Sequence, residues 1–414
     1  MIYRVPDLTD RDTAVVDEIE RLREQLRPYL RMRRRWYGTL RRAQFARAVQ
    51  GSNSIEGYHA SVEDAAAVID NDEPTADLSK DTISAISGYR DAMTYALQLA
   101  AGVSPRSLIP EPATQAAVGI ESPSPSTPID LPTLRALHFM MIRHDLAHNP
   151  GQLRPGAIWV ADSDGESVYD APGRDEIDAL LGEFFEQCAT LAADDTVPPM
   201  VAAAMAHLNL VLIHPFSDGN GRMARCVQTL ALAAAAVRDD GPVAPEFLSI
   251  EEYLGRNTLE YYAALNAVAD GQWSPERTAR PWIQFCLTAH SHQARTVLRR
   301  VLEFEMLWDV CSQLAQKRGI PERAVDTLCD TARGWTLRRS LYLMRTEADD
   351  GRPISDGMAS RDLQAMVEAG LLTPIGDKRG RRYQRSKELA DIWSQIRSAR
   401  PTRDEADPYG AVRA

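Results

Sequence analysis

Cysteine is scarce in this chain, and long apolar runs are missing altogether. The 414 residues include five cysteines, which are widely spaced and form no C-x-x-C pair. This pattern argues against a disulfide framework or a cysteine-based zinc site, and it is typical of a reducing compartment. The longest apolar run, "LALAAAAV" at 230–237, is too short to span a bilayer.

Positive charge is also in deficit, because the formal net charge is −11 at pH 7. Such a molecule has no overall electrostatic attraction for nucleic acid or an anionic membrane, so any contact of this kind requires a local basic patch. The first twenty residues are charged and contain no apolar h-region. We therefore expect no secretory signal, no membrane partner and a cytoplasmic location.

Helical spacing of apolar residues dominates the chain and predicts a mainly α protein. The stretch 12–50 predicts one or two amphipathic helices interrupted near Pro28. Six prolines within 103–129 predict an irregular insert. The length indicates several domains. The predicted divisions are an N-terminal helical segment at 1–102, the insert at 103–129, a core at 130–300, a C-terminal domain at 320–400 and a tail at 401–414.

Two short β-type runs interrupt the helical pattern. "AIWVA" at 157–161 and "SVYDA" at 167–171 flank the turn signal "DSDG", so we predict a β-hairpin here. An exposed strand of this hairpin can pair with an extended segment of another protein through main-chain hydrogen bonds. We call residues 157–169 the flap.

The stretch "HPFSDGNGRMAR", which we call the signature loop, occupies residues 214–225. Pro215 ends an apolar helix and places His214 in its last turn, where a neutral imidazole can accept a proton. The glycines at 219 and 221 let backbone N–H groups converge at the start of the next helix, which makes an anion site. Arg222 and Arg225 add forked donors for phosphate oxygens, and Asp218 is a suitable Mg²⁺ ligand.

The signature loop resembles the motif of the Fic family, H-P-F-x-[DE]-G-N-G-R-x-x-R, and agrees with it at every specified position. The segments at 150–160 and 249–265 are also similar to family segments near the flap and the nucleotide pocket. The resemblance implies a helical core with a β-hairpin flap. It also implies Mg²⁺-dependent transfer of AMP from ATP to a Ser, Thr or Tyr hydroxyl of a target protein.

The resemblance also implies roles for individual residues. His214 is the general base and Asp218 holds Mg²⁺, while Arg225 contacts the γ-phosphate. Adenine contacts are expected from Tyr261 or Tyr262, one of which is expected to belong to the core. The implied phosphate-binding residues are Gly219, Asn220, Gly221, Arg222 and Arg225.

"SNSIEG" at 52–57 resembles the inhibitory motif [ST]-x-x-x-E-[GN] of one class of the family, with Ser52, Glu56 and Gly57 at the specified places. A Glu56 carboxylate paired with Arg225 would occupy the charge that holds the γ-phosphate and misalign ATP. The alternative is an exposed glutamate on a helix. Some family members with this motif also remove AMP, so a de-AMPylase or another nucleotidyl transfer stays open.

Residues 320–400 follow the order helix, strand, basic turn, strand, which predicts a winged helix-turn-helix. We call residues 376–387, with six basic residues and one acidic residue, the basic turn. DNA is one candidate partner, and protein docking or a homodimer is the alternative. A nucleotide-sensing DNA-binding regulator is therefore a rival function, although sensing would not require His214. The candidate DNA contacts are Arg361, Gln364, Lys378, Arg379, Arg381 and Arg382.

Overall fold

The computed structural model describes residues 1–31, 36–102, 129–161, 167–238, 247–347, 352–377, 380–400 and 407–410. These residues divide into two compact units. The first comprises residues 1–32, 43–295 and 407–414, and the second comprises 33–42 and 296–406. The proline-rich insert, except residue 129, and the tail, except 407–410, lie outside the described residues.

The described part of the first unit is helical apart from one hairpin. Among the described helices of both units, none is long and apolar enough to cross a membrane. Two helices, α2 and α11, continue into the second unit. The elements are α1 (Asp10–Arg31), α2 (Tyr37–Ile55), α3 (Val62–Ile69), α4 (Lys80–Ala100), α5 (Leu131–Ile142), β1 (Trp159–Ala161), β2 (Ser167–Asp170), α6 (Ile177–Ala193), α7 (Pro199–Ile213), α8 (Asn220–Arg238), α9 (Glu251–Arg256), α10 (Thr258–Ala269) and α11 (Arg280–Lys317).

Helix α7 is the centre of this unit. Its sequence is apolar on all sides, and thirteen of the residues from Met200 to Ile213 are buried. This burial is expected for a helix that is surrounded by other helices. It packs against α6 and α8, while α4 packs against α5 and α8. The signature loop joins α7 to α8, so it is held by the two most buried helices of the unit.

Helices α1 and α2 are separate, as predicted for 12–50, but α1 does not end at Pro28 itself. Helix α1 continues through Pro28 and ends at Arg31. A proline removes one backbone donor and crowds the preceding turn. Pro28 lies in the last turn of α1, so few helical residues follow the disturbed hydrogen bond.

The predicted hairpin is present as the antiparallel pair of β1 and β2. Val160 lies opposite Tyr169, and the register shifts between Val160 and Ala161. The turn at 162–166 lies outside the described residues. Trp159 is exposed on this hairpin, whereas the Tyr169 side chain is buried.

The second unit contains four shorter helices and a small sheet. The described elements after α11 are α12 (Val325–Ala332), β3 (Leu337–Arg338), α13 (Arg339–Arg345), α14 (Asp356–Glu368), β4 (Leu372–Ile375), β5 (Arg382–Arg385) and α15 (Lys387–Ser398). The three strands are antiparallel in the order β3-β5-β4. This order of elements is the one expected of a winged helix, and the assignment stays a prediction.

All five cysteines are free and buried. Burial disfavours the thiolate, and it raises the pKa of the Cys188 thiol to about 12. It raises the pKa values of Cys226 and Cys286 well above the ordinary value.

Candidate active site

His214 lies one residue beyond α7 rather than in its last turn, so the predicted position is corrected by one residue. Its backbone is left-handed, with φ 54° and ψ 55°, and its N–H donates to the Leu210 carbonyl. Pro215 cannot continue the helix and disfavours helical geometry in the residue before it. The chain therefore turns sharply at His214.

The His214 ring is held in one tautomer. Its Nδ1 lies 3.0 Å from the Val211 carbonyl oxygen, which can only accept, so Nδ1 carries the proton and Nε2 is left as the acceptor. Burial lowers the pKa of His214 below 6.5, although the Val211 carbonyl works in the opposite direction. The imidazole is consequently neutral near pH 7, as a general base must be.

Asn220 closes the signature loop. Its side-chain Oδ1 accepts from the Phe216 N–H at 2.9 Å, and its Nδ2 donates to the Phe216 carbonyl at 2.8 Å. The side chain is therefore engaged within the loop, and the predicted role of Asn220 in phosphate binding stays a prediction. The second N–H of Nδ2 and the backbone N–H remain as donors for a ligand.

His138 is a site residue that the sequence reasoning missed. Its ring stacks on Phe216 at 3.9 Å between centroids, accepts from the Gly151 N–H at 2.8 Å, and lies 3.0 Å from the Asp218 carbonyl oxygen. The first bond requires an unprotonated Nδ1, so Nε2 donates to Asp218. Burial lowers the pKa of His138 to about 4. A lone histidine in a helical stretch gives no sequence signal for this role.

The start of α8 has the backbone geometry expected of the predicted anion site. Gly219 has φ +74° and precedes the first helical residue, Asn220. Within the described residues, the N–H groups of 220–222 donate to no other backbone group, as expected for a first helical turn. A Cβ at Gly221 would lie 2.5 Å from the Glu56 Oε1 atom. Glycine is therefore needed here for the close approach of Glu56.

Arg222 and Arg225 point into this site with donors to spare. Their side chains are 2% and 0% exposed, yet Nε and Nη1 of Arg222 and Nη1 of Arg225 have no hydrogen-bond partner among the described residues. Asp218 lies at the rim with its side chain 43% exposed, 3.3 Å from Arg222 Nη2. Buried donors of this kind are rare in folded proteins, and they favour an anionic ligand.

The motif at 52–57 lies directly on Arg225. The Ser52 hydroxyl accepts from Arg225 Nε at 2.8 Å and its carbonyl accepts from Nη2 at 3.1 Å. The Glu56 carboxylate is 2.5 Å from the same Nη2. Gly57 follows α2 with φ +84°. The structure thus brings together the two motifs that lie about 170 residues apart in the sequence.

The two candidate adenine contacts differ. Tyr261 is 1% exposed, and its hydroxyl bonds to His207 Nε2 at 3.1 Å, with its ring near Trp282. This tyrosine is part of the core, as expected for one of the pair, and its contact with adenine stays a prediction. Tyr262 is 47% exposed, so it is the more accessible candidate of the pair.

The candidate DNA contacts are surface residues of the second unit. Arg361 and Gln364 are exposed on α14 and bond within that helix, to Gly357 and Glu368. Arg381 is exposed and Arg382 begins β5. Lys378 and Arg379 lie outside the described residues.

Comparisons with known proteins agree with this geometry. A sequence profile of the Fic/DOC family matches residues 128–232. Protein adenylyltransferase fic-1 of Caenorhabditis elegans is 40% identical over 80 residues, which are 19% of this chain and 14% of that protein. Protein adenylyltransferase Fic of Drosophila yakuba is 34% identical over 107 residues, which are 26% of this chain and 20% of that protein. The similarity therefore spans a fifth or less of these curated relatives.

Solved structures extend the likeness in fold. A Fic family protein from Desulfovibrio desulfuricans superposes with a TM-score of 0.53 at 20% identity, covering 93% of this chain and 99% of that one. A Fic domain containing signaling protein from Bacteroides thetaiotaomicron gives a TM-score of 0.52 at 14% identity, covering 69% and 96%. Residues 128–232 of this chain therefore match the Fic/DOC family profile, and the fold is similar to that of solved Fic-family structures.

Proposed function

We propose that this chain transfers AMP from ATP to a hydroxyl side chain of a target protein. The observation that carries the proposal is the set of buried, unpartnered donors on Arg222 and Arg225, beside the first N–H groups of α8. A buried charged donor without an acceptor costs free energy. A triphosphate provides acceptors at this place, and the matched relatives are named as protein adenylyltransferases.

His214 is the proposed general base. Its ring is neutral near pH 7, and the bond to Val211 leaves Nε2 as the acceptor. A base in this state can take the proton of a Ser, Thr or Tyr hydroxyl as its oxygen attacks the α-phosphorus of ATP. The bond from the α-phosphorus to the β-phosphate oxygen then breaks, and pyrophosphate leaves.

Asp218 is the proposed Mg²⁺ ligand. The described residues contain no group of three or more His, Cys, Asp or Glu side chains that could hold a metal alone. Mg²⁺ is commonly bound by one or two carboxylates together with phosphate oxygens and water, and the half-exposed Asp218 carboxylate at the rim of the anion site fits that arrangement. When bound, Mg²⁺ would neutralise charge on the phosphates.

Glu56 is the proposed inhibitor of the reaction. Its carboxylate occupies Arg225 Nη2, which the γ-phosphate would otherwise use. Because catalysis of phosphoryl and nucleotidyl transfer rests on alignment and charge stabilisation, a displaced γ-phosphate can slow transfer by orders of magnitude. ATP can still reach the remaining donors of Arg222.

Intact mass after incubation with ATP and Mg²⁺ tests these assignments. We expect little adduct on the wild type, an AMP-sized increment on Glu56→Gly through self-modification, and none on Glu56→Gly/His214→Ala. The double variant should still bind ATP by calorimetry, because His214 contributes no phosphate donor.

Two results would contradict the proposal. An adduct on the double variant would remove His214 from the role of base, and absence of ATP binding by Glu56→Gly would remove the nucleotide function. If Glu56→Gly binds ATP but forms no adduct, transfer of labelled AMP to lysate proteins decides between transferase and nucleotide sensor. Release of AMP from the purified adduct by the wild type would indicate de-AMPylation as well.

A further inference from the structure

Arg154 is a buried arginine of the segment 150–160, ahead of the flap, and it belongs neither to the signature loop nor to the motif at 52–57. Arg154 is 1% exposed, and its guanidinium donates hydrogen bonds to three backbone carbonyls. Nε donates to His214 at 2.9 Å, Nη1 to Gly156 at 2.5 Å and Nη2 to Pro172. Among the described residues no carboxylate acts on its charge. Gly156 precedes β1 and Pro172 follows β2, so one side chain joins both ends of the flap to His214.

The C-terminal end of α7 explains why these bonds matter. The last carbonyls of a helix have no partner within the helix. Here the Leu212 carbonyl accepts from the Tyr169 hydroxyl at 2.5 Å, and the His214 carbonyl accepts from Arg154. The Arg154 N–H also donates to the Pro215 carbonyl at 2.9 Å. Side chains from the flap and its approach therefore satisfy the helix end that carries the base.

The backbone of His214 depends on such support. A left-handed conformation is uncommon in residues other than glycine and costs free energy, so it persists where surrounding bonds fix it. Arg154 is the side chain that fixes the His214 carbonyl. Without it, the His214 carbonyl loses this donor and the peptide after His214 is less restrained, so the orientation of the imidazole is less well defined.

We propose that Arg154 is a positioning residue that couples the flap to the catalytic base. Through its three carbonyl bonds, it sets the orientation of His214 and the position of both flap strands at once. A target segment paired with the flap is thereby placed at a fixed distance from Nε2 of His214. This inference rests on the proposed transferase function, and it assigns Arg154 no contact with ATP or with the target.

Arg154→Lys in the full-length Glu56→Gly protein is the first test. Lysine keeps the charge but cannot reach three carbonyls with a planar fork. We expect the first-order rate of self-modification at saturating ATP to fall about 10- to 100-fold, which is the cost of a misplaced reacting group. The Kd for ATP should stay within about twofold, because phosphate binding depends on other donors. The control is Arg174→Lys, since Arg174 pairs with Asp178 on the surface nearby and should leave the rate unchanged.

Hydrogen exchange supplies a readout that does not depend on catalysis. Loss of the Arg154 fork should speed amide exchange in Trp159–Ala161 and Ser167–Asp170, while amides in the middle of α7 keep their protection. An unchanged rate together with unchanged flap exchange would overturn the proposal. A parallel loss of ATP affinity, melting temperature and rate would also overturn it, by indicating a general structural role. If Glu56→Gly binds ATP but transfers nothing, the proposed function fails, and exchange still decides whether Arg154 anchors the flap.

Arg154→Gln separates charge from geometry and serves if the lysine variant does not fold. Burial lowers the pKa of His214, the Arg154 charge lowers it further, and Glu56 and Asp218 act in the opposite direction. Removal of the cation should therefore shift the acid limb of the pH–rate profile to higher pH. The lysine variant should leave that limb in place. If the acid limb of the pH–rate profile lies at the same pH in both variants, the Arg154 charge does not act on the pKa of His214.

Discussion

The signature loop and the basic turn are both rich in arginine, but their arginines differ in environment. Arg222 and Arg225 are buried with donors that no described residue satisfies. Arg381 of the basic turn is exposed, as is Arg361 on α14, so water can satisfy both. A buried, unsatisfied donor costs free energy unless a ligand binds, whereas an exposed arginine costs nothing. Local sequence shows that arginines are present, and burial distinguishes a preformed ligand site from a charged surface.

Loss of a buried arginine should have the largest effect. In the Glu56→Gly protein, we expect Arg222→Gln to raise the Kd for ATP about 100-fold, because hydrogen bonds to charged groups contribute about 1.5–3 kcal/mol each. Arg382→Gln in the second unit is the matched control and should leave ATP affinity unchanged. Titration calorimetry measures both. Similar losses in the two variants would contradict the distinction between the arginines.

The signature loop differs from the basic turn also in its contact with Glu56, which pairs with Arg225 and directly follows α2. Gly51 of α2 lies against α9 so closely that an added Cβ would be 2.5 Å from the Glu251 carbonyl oxygen and 2.9 Å from the Glu252 Cα. We expect Gly51→Ala to displace α2, because an added methyl group at a close-packed contact forces the backbone to shift. The displacement should move Glu56 away from Arg225 and raise the rate of self-modification about 10-fold over wild type. In the Glu56→Gly background the same change should have no such effect. A raised rate in both backgrounds would indicate that α2 acts on catalysis by another route.

Salt dependence should separate exposed from buried arginines. If the second unit binds duplex DNA, each phosphate contact should contribute about 0.9 to the slope of log affinity against log salt. The double change Arg381→Gln/Arg382→Gln should therefore reduce the slope by about 2 at most, as measured by fluorescence anisotropy with a labelled duplex. Wild-type protein without measurable binding at low salt would leave protein docking as the role of this unit.

The smallest expected effect is an opposite response of the two units to acid. Burial lowers the pKa of His207 to about 3, against the hydrogen bond to Gln228. Between pH 6.5 and about 3, the unfolded state binds a proton at His207 that the folded state does not bind. The contribution of His207 to the free energy of unfolding is therefore lost as pH falls from 6.5 toward 3. Burial raises the pKa of Asp326 in the second unit to about 6, against the bond from Thr39. Here the folded state binds the extra proton, and its contribution rises as pH falls from 6 toward 4.

Calorimetry at pH 7 and pH 5 tests this difference. We expect each group to change the free energy of unfolding by no more than about 1.4 kcal/mol per pH unit. His207→Gln should flatten the response of the transition assigned to the first unit, and Asp326→Asn that of the second. A single transition with no change in either variant would contradict the two assignments.

Local sequence predicted much of this structure, because the relevant signals are local. The apolar α7, the hairpin, the glycines and the two arginines of the signature loop each depend on residues close in sequence. The structure confirms the mainly helical fold, and it places Glu56 against Arg225 as the motif at 52–57 implied.

The remaining features depend on contacts between distant segments. Arg154 donates to the carbonyl of the left-handed His214. The Asn220 amide bonds to Phe216 across a loop, and hydrophobic periodicity does not predict the path of a loop. His138 contacts Asp218, which lies 80 residues away in the sequence. Tyr261 and Tyr262 are adjacent in a helical pattern, and only packing shows which one is buried. Arg154 lies between glycine and proline residues, where a charged side chain normally faces solvent.

The buried cysteines have a practical consequence. Because all five thiols are enclosed, the folded protein should not react with maleimides at neutral pH. One cysteine introduced on the flap surface, for example in place of Val168, would then be the single reactive position. A fluorophore or spin label attached there would report flap motion directly, without prior removal of any native cysteine.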